Sequence, residues 1–178
     1  MTGYTLFETA IGRCGVAWNA RAIIAVQLPQ PTDAQTVKRL VQRCGDIPDA
    51  PPPAAVTDAI AAIVALLAGE KRDLSDIVLD LEDVPAFNRE VYEVARAIPP
   101  GQTMSYGDIA KRLGDVSLSR DVGQALGRNP CAIVVPCHRV LAAGGKPGGF
   151  SANGGVQTKL KMLEIEGAAV NHTPSLFD

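Results

Sequence analysis

The sequence predicts an α/β N-terminal half followed by a mostly α domain built on a helix-turn-helix. Short β-type runs crowd the first 28 residues, apolar stripes at helical spacing dominate beyond residue 85, and two short helical segments separated by a glycine occupy residues 105–127. At 178 residues, with 47% hydrophobic and 20% charged side chains, the chain can form one large or two small domains with a real core.

Thr5–Thr9, Gly15–Trp18 and Ile23–Leu28 are strand-like runs, split by Gly12-Arg13 and by Asn19-Ala20-Arg21, which reads as a hairpin or meander. Trp18, the sole tryptophan, is expected in the core. Val37, Leu40 and Val41 recur at helical spacing after Asp33 and predict a helix over 33–44. Pro48 and Pro51-Pro52-Pro53 force extended chain, because proline lacks an amide donor and restricts its predecessor. Val56, Ile60, Ile63, Val64 and Leu67 mark a second helix that Gly69 ends, and Asp76–Glu82 reads as the last strand of this half. Asp83-Val84-Pro85 is the expected boundary, giving domains at 1–84 and 85–170 and a tail at 171–178.

Beyond it, Phe87, Val91, Val94, Ala95 and Ile98 form one apolar stripe, stopped by Pro99-Pro100-Gly101. Ser105 with Asp108 three residues on is a capping-box-like start for a helix that Gly114 breaks. Ser119 is expected to cap the next helix, with Val122, Ala125 and Leu126 inward, Arg120 at its exposed edge and Arg128 near its end. Two capped helices joined by a glycine-containing turn match the helix-turn-helix pattern. Ile133-Val134-Val135 reads as a buried strand that Pro136 ends, leaving Cys137 at a bend facing a pocket; Gly144–Gly149 reads as a hairpin over it. That glycine run does not meet the phosphate-loop pattern.

No apolar run approaches the ~18 residues of a membrane span, and no basic stretch followed by an apolar one opens the chain, so a cytoplasmic protein without a membrane partner is expected. The four cysteines are expected to be reduced, and Cys131 to be a buried apolar residue. With no CxxC and only His138 and His172, no zinc set can be assembled, and neither metal nor cofactor is expected. The net charge of −2 conceals an asymmetry: residues 1–84 carry 7 basic and 11 acidic side chains, residues 100–161 carry 8 and 3. Phosphate attraction is local, over roughly 8–10 Å in physiological salt, so the second half is the one suited to nucleic acid.

The chemistry concentrates in Asn129–Val140. A cysteine with an ordinary pKa of about 8.5 is only slightly ionised at neutral pH, and a neighbouring base and positive charge (His138, Arg139) shift it toward the reactive thiolate. Adjacent residues seldom bond directly, so His138 is expected to act through a water.

Pro136-Cys137-His138-Arg139-Val140 resembles the active-site signature of the O6-alkylguanine-DNA alkyltransferases, the methylated-DNA–protein-cysteine methyltransferases. The resemblance runs from Phe87 to Gly167 through Ile98-Pro99-Pro100-Gly101, Ser105-Tyr106-Gly107, Ser119-Arg120-Asp121-Val122-Gly123, Asn129-Pro130, Gly148-Gly149-Phe150 and Glu164-Ile165-Glu166-Gly167. It implies a ribonuclease-H-like α/β roll, which the first 84 residues fit loosely, followed by a winged-helix-like domain. It further implies a monomer acting once on double-stranded DNA that holds O6-alkylguanine, with O4-alkylthymine as a further candidate lesion. By this resemblance Cys137 is the alkyl acceptor, His138 draws its proton through a water, Glu166 polarises His138, and Asn129 holds the nucleophile's loop. Arg120 fills the gap left by a flipped nucleotide, and Tyr106 helps turn it out and donates to the base. Ser119 and Arg128 flank the DNA-facing helix, which lies in the minor groove in this family. Leu126, Val140 and Phe150 line the base pocket. Lys159 approaches the Cys137 loop or, with Lys161, forms a solvated face.

One residue departs from the family pattern. Asp121 stands where a small apolar residue commonly follows the arginine; a carboxylate in a first helical turn favours the helix but repels phosphate. Two rivals remain at this level: a sensor that binds alkylguanine without accepting the alkyl group, which lacks the cysteine present here, and a cysteine hydrolase, which leaves Arg120 and the helix pair without a role.

Overall fold

The computed structural model describes residues 2–148 and 154–168. Strands β1 (Gly3–Thr9), β2 (Gly12–Trp18) and β3 (Ile23–Gln27) form an antiparallel sheet in that order. β1 and β2 pair from Gly3–Trp18 to Thr9–Gly12, so the turn is Ala10-Ile11, and Gly12-Arg13, expected to split the runs, lies within β2. Period-two alternation gives the sheet two faces. Phe7, Cys14, Val16 and Trp18 join the main core, while Ala17 and Ala25 meet Leu40 of helix α1 (Asp33–Cys44). Thr32 caps α1 in a reciprocal box with Gln35. A Cβ at Gly15 would lie 2.5 Å from Leu40 Cδ1, so a side chain there would have to displace the Leu40 methyl that packs on β2. Helix α2 (Ala54–Leu67) buries Val56, Ile63, Leu66 and Leu67.

The strand expected over Asp76–Glu82 does not form. Leu79 makes one isolated bridge to Ile23, Asp80 N–H donates to Ile23 O at 2.8 Å, and Val78 is exposed. Asp80 Oδ1 instead accepts the Glu82 amide at 3.1 Å, the local side-chain bonding by which aspartates compete with a ladder.

Helix α3 (Ala86–Arg96), strand β4 (Met104–Ser105), helices α4 (Tyr106–Arg112) and α5 (Ser119–Gly127), strand β5 (Val140–Leu141) and helix α6 (Val156–Ile165) complete the described chain. β4 pairs with β5 in parallel. Ser105 and Asp108 form the expected box at the start of α4. Ser119 does not cap α5: it is the first helical residue, and its hydroxyl donates to Val116 O at 2.8 Å. The 3-10 turn Val116–Leu118, capped by Asp115, runs straight into α5 and removes the need for a side-chain cap there. One apolar core crosses residues 84–85, joining Val16, Trp18, Val26 and Ile63 to Val91, Tyr92, Ile109, Val122, Val135 and Met162. Among the described residues no helix is long and apolar enough to cross a membrane.

Candidate active site

The segment before Cys137 is a stapled turn, not the strand its apolar run suggests. Ile133 sits at φ 74°, a left-handed conformation that costs a β-branched residue roughly 1–3 kcal/mol. The surroundings hold it there. Asn129 Oδ1 accepts the Cys131 amide at 2.9 Å while Asn129 Nδ2 donates to Val135 O at 2.9 Å, and Val135 N–H donates to Cys131 O at 2.9 Å. The turn is also docked on the edge of β3: Val26 N–H donates to Pro130 O at 3.0 Å and Ala132 N–H to Val26 O at 3.2 Å. The N-terminal sheet thus helps set where the nucleophile lies.

Cys137 then opens a 3-10 turn, Cys137–Arg139. Its side chain is half-buried and borders a crevice of about 60 Å³ with Asn129, Leu126, Val26, Leu28, Arg39 and Arg43. Burial pushes the Cys137 thiol up, opposed by Asn129, the charge of Lys159 and the backbone amides of Cys137 and His138. Burial thus favours the thiol, while Asn129, Lys159 and the two backbone amides favour the thiolate.

His138 is almost fully buried, 1% exposed. Its Nε2 lies 3.1 Å from each oxygen of Glu166, the residue that ends α6. Arg139 grips the same carboxylate from the other side, Nε to Oε1 at 2.9 Å and a terminal nitrogen to Oε2 at 2.7 Å, and its other terminal nitrogen donates to Ile98 O at 2.7 Å. Burial alone would raise the Glu166 pKa, but the bonds from His138 and Arg139 bring it down to about 2. A carboxylate ionised at neutral pH accepts only, so Nε2 carries the imidazole proton and Nδ1 keeps the lone pair. That Nδ1 is buried with no hydrogen-bond partner among the described residues. Burial lowers the His138 pKa, with Arg139 and Lys159 adding to the effect and Glu166 opposing it.

Of the two positions expected for Lys159, the fold has the one near the Cys137 loop and not the solvated face. Lys159 is 1% exposed, and its Nζ donates to Val140 O at 2.7 Å and sits 5.9 Å from the Tyr106 ring centroid. Burial lowers its pKa to about 8, partly offset by Cys137. Burial and the nearby Cys137 both raise the Tyr106 hydroxyl. Asn129, Cys137, His138, Val140, Lys159, Glu166 and Tyr106 thus gather in one place, with Leu126 on the rim. Arg120 and Arg128 are exposed on or just after α5, and Ser119 is half-buried at its start. Phe150 lies outside the described residues.

The sequence reading missed the role of Arg139. It counted as a free positive charge near the thiol; in the fold its charge is spent on Glu166. The signal was an arginine beside a histidine with a single acidic residue, Glu166, assigned to that histidine. No group of histidine, cysteine and carboxylate side chains suited to a metal occurs among the described residues.

Comparison with known proteins shows the family. The sequence model described as the DNA-binding domain of 6-O-methylguanine DNA methyltransferase matches residues 86–168. The methylated-DNA–protein-cysteine methyltransferase of Mycobacterium tuberculosis H37Rv is 41% identical over 128 residues, covering 72% of this chain and 75% of that protein. The protein of the same name from Methanothermobacter thermautotrophicus is 34% identical over 156 residues, covering 88% and 80%. The crystal structure of Mycobacterium tuberculosis OGT in complex with DNA superposes with a TM-score of 0.71 at 32% identity, over 92% of each chain. The chain belongs to the methylated-DNA–protein-cysteine methyltransferases, enzymes of DNA repair.

Proposed function

We propose that the chain binds duplex DNA and moves the alkyl group of O6-alkylguanine onto Cys137, once per molecule, from a nucleotide turned out of the helix. The observation that carries this is the buried His138–Glu166 pair, its histidine directly following a half-buried Cys137 in the same 3-10 turn, on a scaffold that presents Arg120 to solvent. A base inside a duplex is out of reach of a recessed sulfur, so extrusion at a cost of a few kcal/mol precedes transfer. Arg120 fills the vacated stack, Ser119 and Arg128 steady the flanking phosphates, and Tyr106, Leu126, Val140 and Phe150 receive the base. The finer description as a ribonuclease-H-like roll with a winged-helix-like domain, divided near residue 84, belongs to this reading, as do a monomeric state and a cytoplasmic site of action.

The resting thiol gives its proton, through a water, to His138 Nδ1; Glu166 steadies the imidazolium that forms. Asn129 holds the turn, and the Lys159 charge favours the thiolate over the thiol. The S–C bond forms as the C–O6 bond breaks, the electron pair stays on the purine, and a proton donated there by Tyr106 and replaced by the one the imidazolium gives up completes guanine. The product is a thioether, stable to water and thiols, so one protein repairs one lesion. The assignment extends to O4-alkylthymine if the pocket accepts a pyrimidine.

The test is intact-protein mass after exposure to duplex holding O6-methylguanine. Gain of one methyl group on Cys137, equal to the lesions lost and absent in Cys137→Ser, is expected. Lesion binding without an adduct would establish a sensor, and turnover of an ester or amide a hydrolase; either overturns the proposal.

A further inference from the structure

We propose that Arg139 is a positioning residue for the transfer: by gripping both oxygens of Glu166 and the carbonyl of Ile98, it holds the carboxylate square to His138 Nε2 and keeps the imidazole an uncharged proton acceptor. This rests on His138 being the base. The geometry is a planar fork. Nε and one terminal nitrogen each take one Glu166 oxygen, at 2.9 and 2.7 Å, and the remaining terminal nitrogen is tied to the end of the α3 segment through Ile98 O at 2.7 Å. The guanidinium and the carboxylate are therefore held edge to edge, an arrangement that an ammonium, with a single point of charge, does not reproduce. His138 Nε2 then meets both oxygens at equal distances of 3.1 Å, which centres the imidazole on the carboxylate and fixes its ring.

Counting charge shows what the third member adds. A neutral imidazole, a carboxylate and a guanidinium sum to zero in a buried space. A proton on His138 leaves a net positive charge there. Without Arg139 the imidazolium and carboxylate would sum to zero as a pair, and only burial and the Lys159 charge would still oppose a proton on His138 before Cys137 offered one. The groups facing His138 are Glu166 and Lys159 from α6 and Cys137 and Arg139 from its own turn. Lys159 pushes in the same direction as Arg139, but Arg139 is the one that shares the His138 carboxylate. The guanidinium thus keeps Nδ1 available until the substrate arrives.

Its test is a nitrogen NMR titration of His138 without DNA, in a His172→Asn background that leaves a single imidazole. The parent protein should show a neutral ring carrying its proton on Nε2, with a midpoint below the ordinary histidine value. Arg139→Met should raise the midpoint by about 1–3 pH units, and adding Glu166→Gln should bring it back down. A structural role alone would move stability and not this midpoint. An unchanged midpoint in Arg139→Met, or no reversal by Glu166→Gln, overturns the proposal. Should Arg139→Met fail to fold, Arg139→Lys decides: the charge stays and the midpoint holds, while transfer slows by up to about 100-fold because the fork is lost. Transfer at the parent rate in that variant also overturns it. The imidazole is read without any lesion, so failure here is separate from failure of Cys137 to gain a methyl group.

Discussion

Two charge clusters use the same ingredients and do different things. In the N-terminal half Arg21, its side chain 65% exposed, meets Asp80 at 3.0 Å and also pairs with Glu82. In the C-terminal half Arg139 and His138 share Glu166, with all three side chains at most 6% exposed. Water competes for every bond of the first cluster and for few of the second. Buried charges must be paired and hydrogen-bonded to persist, so each member of the second cluster fixes the next, and breaking one leaves an uncompensated charge. Burial turns an ion pair into a device that holds a proton acceptor in one tautomer.

The largest effect that would sharpen this contrast is loss of the acceptor. His138→Ala should slow single-turnover alkyl transfer by about 10²–10⁴-fold, followed by quenching and lesion counting; a loss below tenfold would remove His138 from the reaction. Acid stability comes next. Glu166 is held at about 2, below its ordinary 4.5, so its stabilisation is present above the unfolded value and is lost as pH falls from 4.5 toward 2. The amount is on the order of 3 kcal/mol. His138, lowered by burial, acts in the same direction, with stability lost as pH falls below its unfolded value. Chemical denaturation across that window should show the decline in the parent and a flatter profile in Glu166→Gln.

Asn129→Ala should destabilise the fold by about 1–3 kcal/mol, because the Cys131 amide and the Val135 carbonyl each lose a partner, and transfer should slow with it. Denaturant midpoints and transfer rates check both. Asp121→Ala, on the exposed face of α5, should tighten duplex binding a few-fold, more so at low salt, and leave the transfer rate of bound lesion unchanged. Weaker binding would show that the carboxylate serves the helix more than it repels phosphate. Arg21→Ala should change neither transfer nor melting measurably; a clear loss of either would break the contrast between the two clusters.

How much of this was legible follows the range of the interaction. The sheet, α1 and the α4 cap rest on period-two runs, helical spacing and side chains three residues apart, and the sequence carries these openly. The Asn129, Cys137, His138 and Glu166 group was readable through a motif, although its members are up to 37 residues apart in the chain. What escaped depends on tertiary burial. Val78 looked like strand and is solvent-facing, in a segment where Asp80 bonds the Glu82 amide in place of a ladder. Ile133-Val134-Val135 has strand composition and forms a turn, because Asn129 and the edge of β3 impose it. By sequence Lys159 stands between solvent and the Cys137 loop, because its charge argues for solvent; packing of α6 decides it, near Tyr106 and against the Val140 carbonyl. Arg139 is a positive charge by sequence and half of a neutral pair in the fold.

The proposed mechanism starts from a resting thiol, which burial favours, and has the network beside it supply the acceptor at the moment of transfer. The direct measurement is the ultraviolet absorbance of thiolate across pH for the lesion-free protein, as a difference against Cys137→Ser. A thiolate signal that rises only above the ordinary thiol value of about 8.5 is the expected result. A Cys137 thiolate already formed at neutral pH would contradict it.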